Sequence, residues 1–241
     1  MKSKNDMLII GHKGASKTEP DNTLRAFQKA IELKADYIEF DIHQSKDGEI
    51  VVMHDDNTLQ TTGYDGYIKE MTLEELKKLD CGMGERIPTL KEVIKLCKGK
   101  IGLQIEVKVI NIGEKVVDLL KEADLIESSI ISSFIHNEVI KIKNYEPKAK
   151  VAALIPSQIE DSSNLKKVAR RLIRKEKFFA IHPYFIGVNK ELVDYCHKNN
   201  LKVNVWTVNE QKDMENLIKS GVDGIITDDI PLLKKLLNRN D

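Results

Sequence analysis

Three carboxylates stand within two apolar segments of strand length. Glu39 and Asp41 are two residues apart in the segment 37–42, and Glu106 lies in the segment 101–107. Side chains two residues apart fall on one face of a strand, so Glu39 and Asp41 are expected to point the same way. Carboxylates gathered at one place repel each other unless a cation neutralises them. Oxygen ligands suit a hard divalent cation, and the pattern fits Ca²⁺ and Mg²⁺ equally well.

Two histidines and two lysines accompany these acids. His12 ends the first apolar segment, and His54 ends a short one beside Asp55. Two imidazoles can divide general-base and general-acid duties across one phosphorus centre. Lys13 and Lys108 lie at strand ends rather than on helix faces, so we expect them to supply positive charge to a phosphoryl group. The combination predicts metal-assisted attack on a phosphate ester.

Four other residues have open or structural assignments. Trp206, the single tryptophan, ends a strand segment, and packing in the core and lining of the pocket are equal alternatives for it. His43 is expected to point away from the carboxylates. Two aspartates follow the last strand, and either Asp228 or Asp229 is expected to cap the final helix ahead of Pro231.

Short segments rich in β-branched residues alternate with amphipathic segments, which predicts alternating strands and helices. The predicted barrel strands are 8–11, 37–42, 101–107, 130–133, 150–154, 179–182, 202–206 and 224–227. The predicted helices are 23–33, 89–97, 113–122, 137–144, 164–176, 190–198, 210–220 and 231–237. Eight such pairs predict a TIM (β/α)8 barrel. An open doubly wound sheet would need a GxGxxG loop after its first strand, and the sequence has none there.

A long insertion interrupts this alternation after the second strand. It runs over about 44–88 and holds a hairpin signal at Asp47-Gly48, a short strand over 50–54 and a small helix over 72–79. Long loops at the carboxyl end of a barrel strand usually carry function. Because there is no linker, repeat or low-complexity segment, residues 1–241 are predicted to form a single domain.

The composition is that of an ordinary globular chain. Of 241 residues 41% are hydrophobic and 32% are charged, and 38 basic residues balance 38 acidic ones. This balance gives no indication of nucleic-acid binding or of an anionic membrane partner. Three widely spaced cysteines predict no disulfide framework, and no apolar run suits a signal peptide or a membrane span. The expectation is a cytoplasmic protein with a small phosphodiester as its partner.

Five groups of residues together resemble the glycerophosphodiester phosphodiesterase family. They are His12-Lys13-Gly14 followed by Glu19-Pro20-Asp21-Asn22-Thr23; Ile38-Glu39-Phe40-Asp41 with Lys46-Asp47-Gly48 and His54-Asp55; Ile87-Pro88-Thr89-Leu90; Ile105-Glu106-Val107-Lys108; and Val205-Trp206-Thr207-Val208-Asn209 with Gly224-Ile225-Ile226-Thr227-Asp228. These groups run in the family's order over nearly the whole chain. The resemblance implies a barrel whose long insertion helps to cover the site.

The resemblance also implies an activity, the cleavage of glycerophosphodiesters to an alcohol and sn-glycerol 3-phosphate. Glu39, Asp41 and Glu106 match the family's metal ligands, and His12 and His54 match its general acid and base. In the implied scheme the neighbouring glycerol hydroxyl attacks phosphorus before water completes the reaction. One histidine takes the hydroxyl proton and the other protonates the leaving alcohol, while the metal ion and Lys108 stabilise the charged phosphorane.

Two positions depart from the family pattern. Lys13 replaces an arginine, which keeps the charge but loses the two-pronged grip on phosphate oxygens, and Asp21 replaces a glutamate. A lysophospholipase D-type phosphodiesterase is the main alternative, and it would need an apolar path for an acyl chain. The insertion offers four residues for that path: Tyr64, Tyr67, Ile68 and Met71. A catalytically weak phosphodiester-binding barrel and, more remotely, a sugar-phosphate isomerase are further alternatives.

Overall fold

Parallel strands close into a barrel in this protein. The structure is a computed structural model that describes residues 6–175 and 177–239, and within them nine strands form one sheet. The strands are β1 (Leu8–His12), β2 (Tyr37–Gln44), β3 (Ile50–Val52), β4 (Gly102–Val107), β5 (Ser129–Ser133), β6 (Lys150–Ile155), β7 (Ala180–Pro183), β8 (Lys202–Val205) and β9 (Gly224–Thr227). Their order is β1-β9-β8-β7-β6-β5-β4-β2, and β1 also pairs with β2, which closes the barrel.

The insertion after the second strand is where the sequence predicted it. Its strand β3 runs antiparallel along β2, with Ile42 opposite Val52. Because all eight other strands are parallel, their carboxyl ends share one rim of the barrel. The predicted TIM (β/α)8 barrel with an insertion after its second strand is therefore confirmed.

Helices cover the outside of the barrel. They are α1 (Leu24–Glu32), α4 (Leu90–Cys97), α5 (Gly113–Glu122), α6 (His136–Tyr145), α7 (Ser162–Arg174), α8 (Lys190–Lys198), α9 (Gln211–Ser220) and α10 (Ile230–Leu236), with α2 (Leu59–Thr62) and α3 (Leu73–Leu76) in the insertion. The predicted helix 164–176 begins two residues later than α7, and its last residue, Glu176, lies outside the described residues. No helix of the described chain is both long and apolar enough to cross a membrane.

Alternation along β2 separates the core from the site. Ile38, Phe40 and Ile42 point outward and are fully buried beneath the helices. Phe40 packs against Phe27 of α1, with 5.5 Å between the ring centroids. The opposite face of the strand carries Glu39 and Asp41 toward the barrel axis. Apolar packing on one face therefore fixes where the polar face points.

The insertion has a small hydrophobic core of its own. Seven buried residues form it: Val51, Met53, Ile68, Met71, Leu76, Cys81 and Ile87. Tyr64 and Tyr67 lie outside that core and are 53% and 46% exposed. Two of the four residues suggested for an acyl-chain path, Ile68 and Met71, are therefore packed inside the insertion rather than lining a channel.

The three cysteines are buried and form no disulfide with one another. Burial raises the pKa of Cys81 to about 11 and the pKa of Cys97 and Cys196 to about 12. Buried thiols with such high pKa values stay protonated and act as small apolar side chains.

Candidate active site

Three carboxylates meet where β2 and β4 end. Asp41 and Glu106 are direct partners in the parallel register, and Glu39 lies two residues before Asp41 on the same face. One oxygen of each carboxylate lies within 4.8 Å of the others, and no more than 8% of any of the three residues is exposed. The structure thus brings together the residues predicted as metal ligands.

One partly buried ammonium group neutralises part of this cluster's charge. Lys108 Nζ lies 2.9 Å from Glu106 Oε1 and 3.3 Å from Asp41 Oδ1, and Asn22 Nδ2 donates to Asp41 Oδ2 at 3.0 Å. Burial, followed by the charge of Asp41, raises the pKa of Glu39 to about 8 and that of Glu106 to about 7. Burial would also raise the pKa of Asp41, but Lys108 and its neighbours lower it overall. Since Glu39 and Glu106 still have raised pKa values beside Lys108, the cluster has a need for further positive charge. Its ligand atoms are all oxygen, which fits a hard divalent cation.

We expect the metal-free protein to lose stability as the pH rises from about 4.5 to about 8. In this interval Glu39 has lost its proton in the unfolded chain but keeps it in the folded one. The folded state binds more protons, so the free energy of unfolding falls with rising pH. Denaturant titrations of chelator-treated protein at several pH values measure how steeply the free energy of unfolding falls with pH. Glu39→Gln should make this dependence flatter, whereas Glu74→Gln, on the surface of α3, should leave it unchanged. Equal slopes in the wild type and both variants would contradict the assignment.

His12 is held by a network that joins the first strand to the last. Its Nδ1 lies 2.7 Å from Asp228 Oδ1, which also accepts a hydrogen bond from Ser16 Oγ at 2.8 Å. Asn209 Nδ2 donates to Asp228 Oδ2 at 2.6 Å. Burial would lower the pKa of His12, but the Asp228 hydrogen bond and the Glu39 charge raise it overall. Burial would raise the pKa of Asp228, but the hydrogen bond and charge of His12, together with the hydrogen bonds from Ser16 and Asn209, lower it to about 2, so Asp228 stays ionised.

The two aspartates after β9 have different positions. Asp229 caps α10 by accepting a hydrogen bond from Leu232 N at 3.1 Å, as one of the two sequence alternatives has it. Asp228 instead contacts His12, and sequence reasoning missed that contact. His12 and Asp228 are 216 positions apart, and only barrel closure, which pairs β9 with β1, brings them together. No local spacing could have revealed it.

His54 lies two residues after the insertion strand β3 ends at Val52. Its Nδ1 lies 2.7 Å from Asp55 Oδ1, so Asp55 is the adjacent carboxylate that orients the ring. The His54 side chain is 48% exposed, whereas that of His12 is 24% exposed. Each histidine thus has its own carboxylate partner on Nδ1, but His54 is more accessible to solvent than His12.

The expectation that His43 points away from the carboxylates is wrong. Strand β2 continues to Gln44, so His43 has the same parity as Glu39 and Asp41. Its Nε2 lies 3.2 Å from the backbone oxygen of His54. Burial lowers the pKa of His43, which favours the neutral ring. His43 therefore supports the segment that carries His54.

Every residue predicted for the site lines one cavity of about 420 Å³ at the carboxyl rim of the barrel. These residues are His12, Lys13, Glu39, Asp41, His54, Glu106, Lys108 and Trp206. The rest of the lining includes Phe134, Leu154 and Ile226, which make one side of the cavity apolar. The cavity therefore offers charged groups on one side and apolar surface on the other.

Trp206 borders the apolar side of this cavity. Its Nε1 donates to the backbone oxygen of His182 at 2.7 Å. The indole lies between Phe134 and Tyr184, at centroid distances of 5.7 and 5.5 Å. Of the two alternatives for Trp206, the structure favours pocket lining. Phe134, which is 40% exposed at the end of β5, was missed because a phenylalanine after a strand gives no signal of its own.

The two positions that depart from the family pattern contact each other. Lys13 Nζ lies 3.4 Å from Asp21 Oδ2, and Lys13 N donates to Glu39 Oε2 at 3.2 Å. The turn that allows this has positive φ at Lys13 (53°) and Gly14 (90°). A Cβ on Gly14 would lie 2.8 Å from Ala26, so glycine is required there. Lys13 is shorter than the arginine of the family pattern, and its partner Asp21 is likewise shorter than the glutamate.

Comparison with known proteins agrees with this geometry. A model of the glycerophosphoryl diester phosphodiesterase family matches residues 12–232. The glycerophosphodiester phosphodiesterase of Caldanaerobacter subterraneus subsp. tengcongensis is 40% identical over 245 residues, which cover 96% of this chain and 98% of that protein.

Two solved structures share the fold over nearly their whole length. The glycerophosphodiester phosphodiesterase of Thermotoga maritima is 30% identical with a TM-score of 0.78, over 95% of this chain and 98% of that one. An Oleispira antarctica phosphodiesterase, solved in complex with the product sn-glycerol-3-phosphate, is 25% identical with a TM-score of 0.85, over 98% and 100%. The chain therefore belongs to the glycerophosphoryl diester phosphodiesterase family of phosphoric diester hydrolases.

Proposed function

We propose that the protein hydrolyses glycerophosphodiesters to an alcohol and sn-glycerol 3-phosphate with the help of a divalent cation. The observation that carries this proposal is one cavity lined by three buried carboxylates, two histidines and two lysines. The name of the Caldanaerobacter relative and the product bound to the Oleispira enzyme support the choice of substrate.

Glu39, Asp41 and Glu106 would hold the cation, which we propose to be Ca²⁺ or Mg²⁺. Bound there, the ion would stabilise negative charge on the phosphoryl oxygens. Lys108, which contacts two of the carboxylates, supplies a fixed positive charge beside the same oxygens. Lys13, on the cavity wall, adds a second positive charge, and Trp206 bounds the side that receives the carbon skeleton.

His12 and His54 divide the proton transfers. The glycerol hydroxyl next to the phosphate gives its proton to one histidine as its oxygen bonds to phosphorus. The phosphorus–oxygen bond to the alcohol breaks, and the other histidine protonates the departing oxygen. Water then opens the cyclic phosphate with the two roles reversed. Because Nδ1 of each ring already contacts a carboxylate, Nε2 is the nitrogen that faces the substrate.

Release of sn-glycerol 3-phosphate from several glycerophosphodiesters tests the proposal. We expect release from glycerophosphocholine, loss of activity with chelator, and recovery on addition of Mg²⁺ or Ca²⁺. A protein that binds these substrates without releasing product would instead be the phosphodiester-binding barrel. A clear preference for lysophosphatidylcholine would make it a lysophospholipase D, an alternative weakened by the burial of Ile68 and Met71.

We expect Asp228→Asn to lower kcat about 10–100-fold with a smaller change in KM. A hydrogen bond to a charged group contributes about 1.5–3 kcal/mol, and the neutral asparagine amide lacks the negative charge that holds His12 Nδ1. The pH–rate profile should shift as well, because the pKa of His12 falls without its partner. Asp229→Asn preserves the helix cap and is the control, with near wild-type kinetics expected. Unchanged kcat in Asp228→Asn would remove this positioning role.

A further inference from the structure

One surface helix concentrates the arginines of a lysine-rich chain. Three of the chain's six arginines lie in α7, and no residue of α7 is acidic. The basic residues of this segment are Lys166, Lys167, Arg170, Arg171 and Arg174, followed by Lys175. Apart from α10, which carries two lysines and no acid, the other barrel helices mix the two signs, as α8 does with Lys190 bonded to Asp194. The charge of α7 is therefore local and unusual for this protein.

Five of these residues form an exposed stripe along the helix. The basic stripe consists of Lys167, Arg170, Arg171, Arg174 and Lys175, all exposed and mostly three or four positions apart. The opposite face of the helix packs on the barrel through Leu165, Ala169 and Leu172. The apolar face is thus used by the fold, and the basic stripe is left facing outward.

Nothing within residues 6–175 and 177–239 neutralises the stripe through an ion pair. Lys166, beside it, does pair with Glu191 Oε1 at 2.7 Å. Lys167 donates only to the neutral Asn164 side chain. Like charges three and four positions apart on a helix repel, although the helix dipole favours the two cations of the last turn, Arg171 and Arg174. An exposed basic row without an internal counter-charge is complementary to an anionic partner surface.

The choice of arginine indicates phosphate oxygens as that counter-charge. The planar guanidinium binds phosphate with two parallel hydrogen bonds, which lysine cannot do. The three arginines of α7 therefore favour a partner that presents phosphate groups at its surface.

We propose that the basic stripe binds the surface of an anionic phospholipid bilayer. Lipid is chosen over nucleic acid because of the proposed function on which this inference rests: glycerophosphodiesters are phospholipids that have lost both acyl chains. The acyl-ester hydrolysis that supplies them takes place on lipid. The zero net charge of the chain does not oppose this contact, because charges more than about 10 Å away are largely screened at physiological salt.

Vesicle co-sedimentation tests the proposal, with phosphatidylcholine vesicles prepared with and without phosphatidylglycerol. The wild-type protein should bind only the vesicles that contain phosphatidylglycerol, and added salt should release it. The triple variant Arg170→Gln, Arg171→Gln, Arg174→Gln should bind on the order of 100-fold more weakly, at about fivefold per charge. Glutamine keeps the helix propensity of arginine, and circular dichroism checks the fold.

A matched control removes three charges elsewhere. Lys91→Gln, Lys95→Gln and Lys98→Gln change two lysines of α4 and the one directly after it, all exposed and at helical spacing, and this variant should bind as the wild type does. Equal weakening by both triple variants would overturn the proposal, as would no binding by the wild type. Tighter binding to an RNA oligonucleotide than to vesicles would assign the stripe to nucleic acid instead.

Hydrolysis of soluble glycerophosphocholine separates this proposal from the proposed function. The stripe lies outside the cavity, so the arginine variant should keep wild-type kcat and KM on this substrate. Normal hydrolysis without vesicle binding would overturn the stripe assignment only. Phosphatidylglycerol-dependent binding by a chain that hydrolyses no phosphodiester would support the stripe and overturn the proposed function.

Discussion

Replacing His12 by alanine is expected to lower kcat on glycerophosphocholine by about 10²–10⁴. The reason is that one of the two proton transfers loses its donor or acceptor, while His54 and the carboxylates stay in place. The ring is partly buried in the cavity, so a small loss of stability is expected too. Steady-state kinetics at saturating substrate, together with a denaturation curve, separate the two effects.

His197→Ala is the matched control for this experiment. His197 also contacts a carboxylate at 2.7 Å, Asp223 Oδ2, but it lies on α8 outside the cavity. Its removal should cost a similar amount of stability and leave kcat unchanged. Comparable loss of kcat in His197→Ala and His12→Ala would show that the effect is structural and would end the assignment of His12.

Removal of the divalent cation is expected to abolish turnover and to lower the melting temperature. An ion present at 100 times its Kd stabilises the folded state by about 2.7 kcal/mol, so Ca²⁺ or Mg²⁺ should raise Tm in the wild type. Asp41→Asn should lose both activity and this ion-dependent shift, because Asp41 lies between the other two carboxylates in sequence and register. Thermal unfolding with and without chelator measures the shift independently of catalysis.

Glu74→Gln, at an exposed acid of α3, controls for nonspecific ion binding and should behave as the wild type does. Turnover that persists in chelator, together with identical melting curves in the presence and absence of both ions, would remove the cation from the proposal. A shift with only one of the two ions would identify which cation the three carboxylates prefer.

The fold was predictable because its signals are local. Each predicted barrel strand overlaps an observed one, and the predicted strand 224–227 has the same bounds as β9, Gly224–Thr227. The ends differ by a residue or two elsewhere, since the last residue of a strand depends on pairing with its neighbour rather than on its own side chain. Alternation of buried strands and amphipathic helices sufficed to choose a closed barrel.

The site was predictable only where spacing decides orientation. The carboxylate cluster follows from two residues on one strand and a third on the adjacent strand, Glu39, Asp41 and Glu106. The contact of His12 with Asp228 depends on barrel closure, and the packing of Phe134 on Trp206 depends on loops that meet above the rim. Such contacts between distant segments leave no periodic trace in a sequence. The identity of the ion is equally hidden, because three carboxylates suit Ca²⁺ and Mg²⁺ alike.

The separate core of the insertion has a consequence for heat inactivation. His12 belongs to the barrel, whereas His54 follows β3, a short strand that pairs with β2 at three residue positions. A segment with so few ladder contacts and its own small core can open before the rest of the molecule. On warming, the enzyme should therefore lose turnover while most of its helical circular dichroism signal remains. Cooling should restore turnover, because the barrel itself has not unfolded.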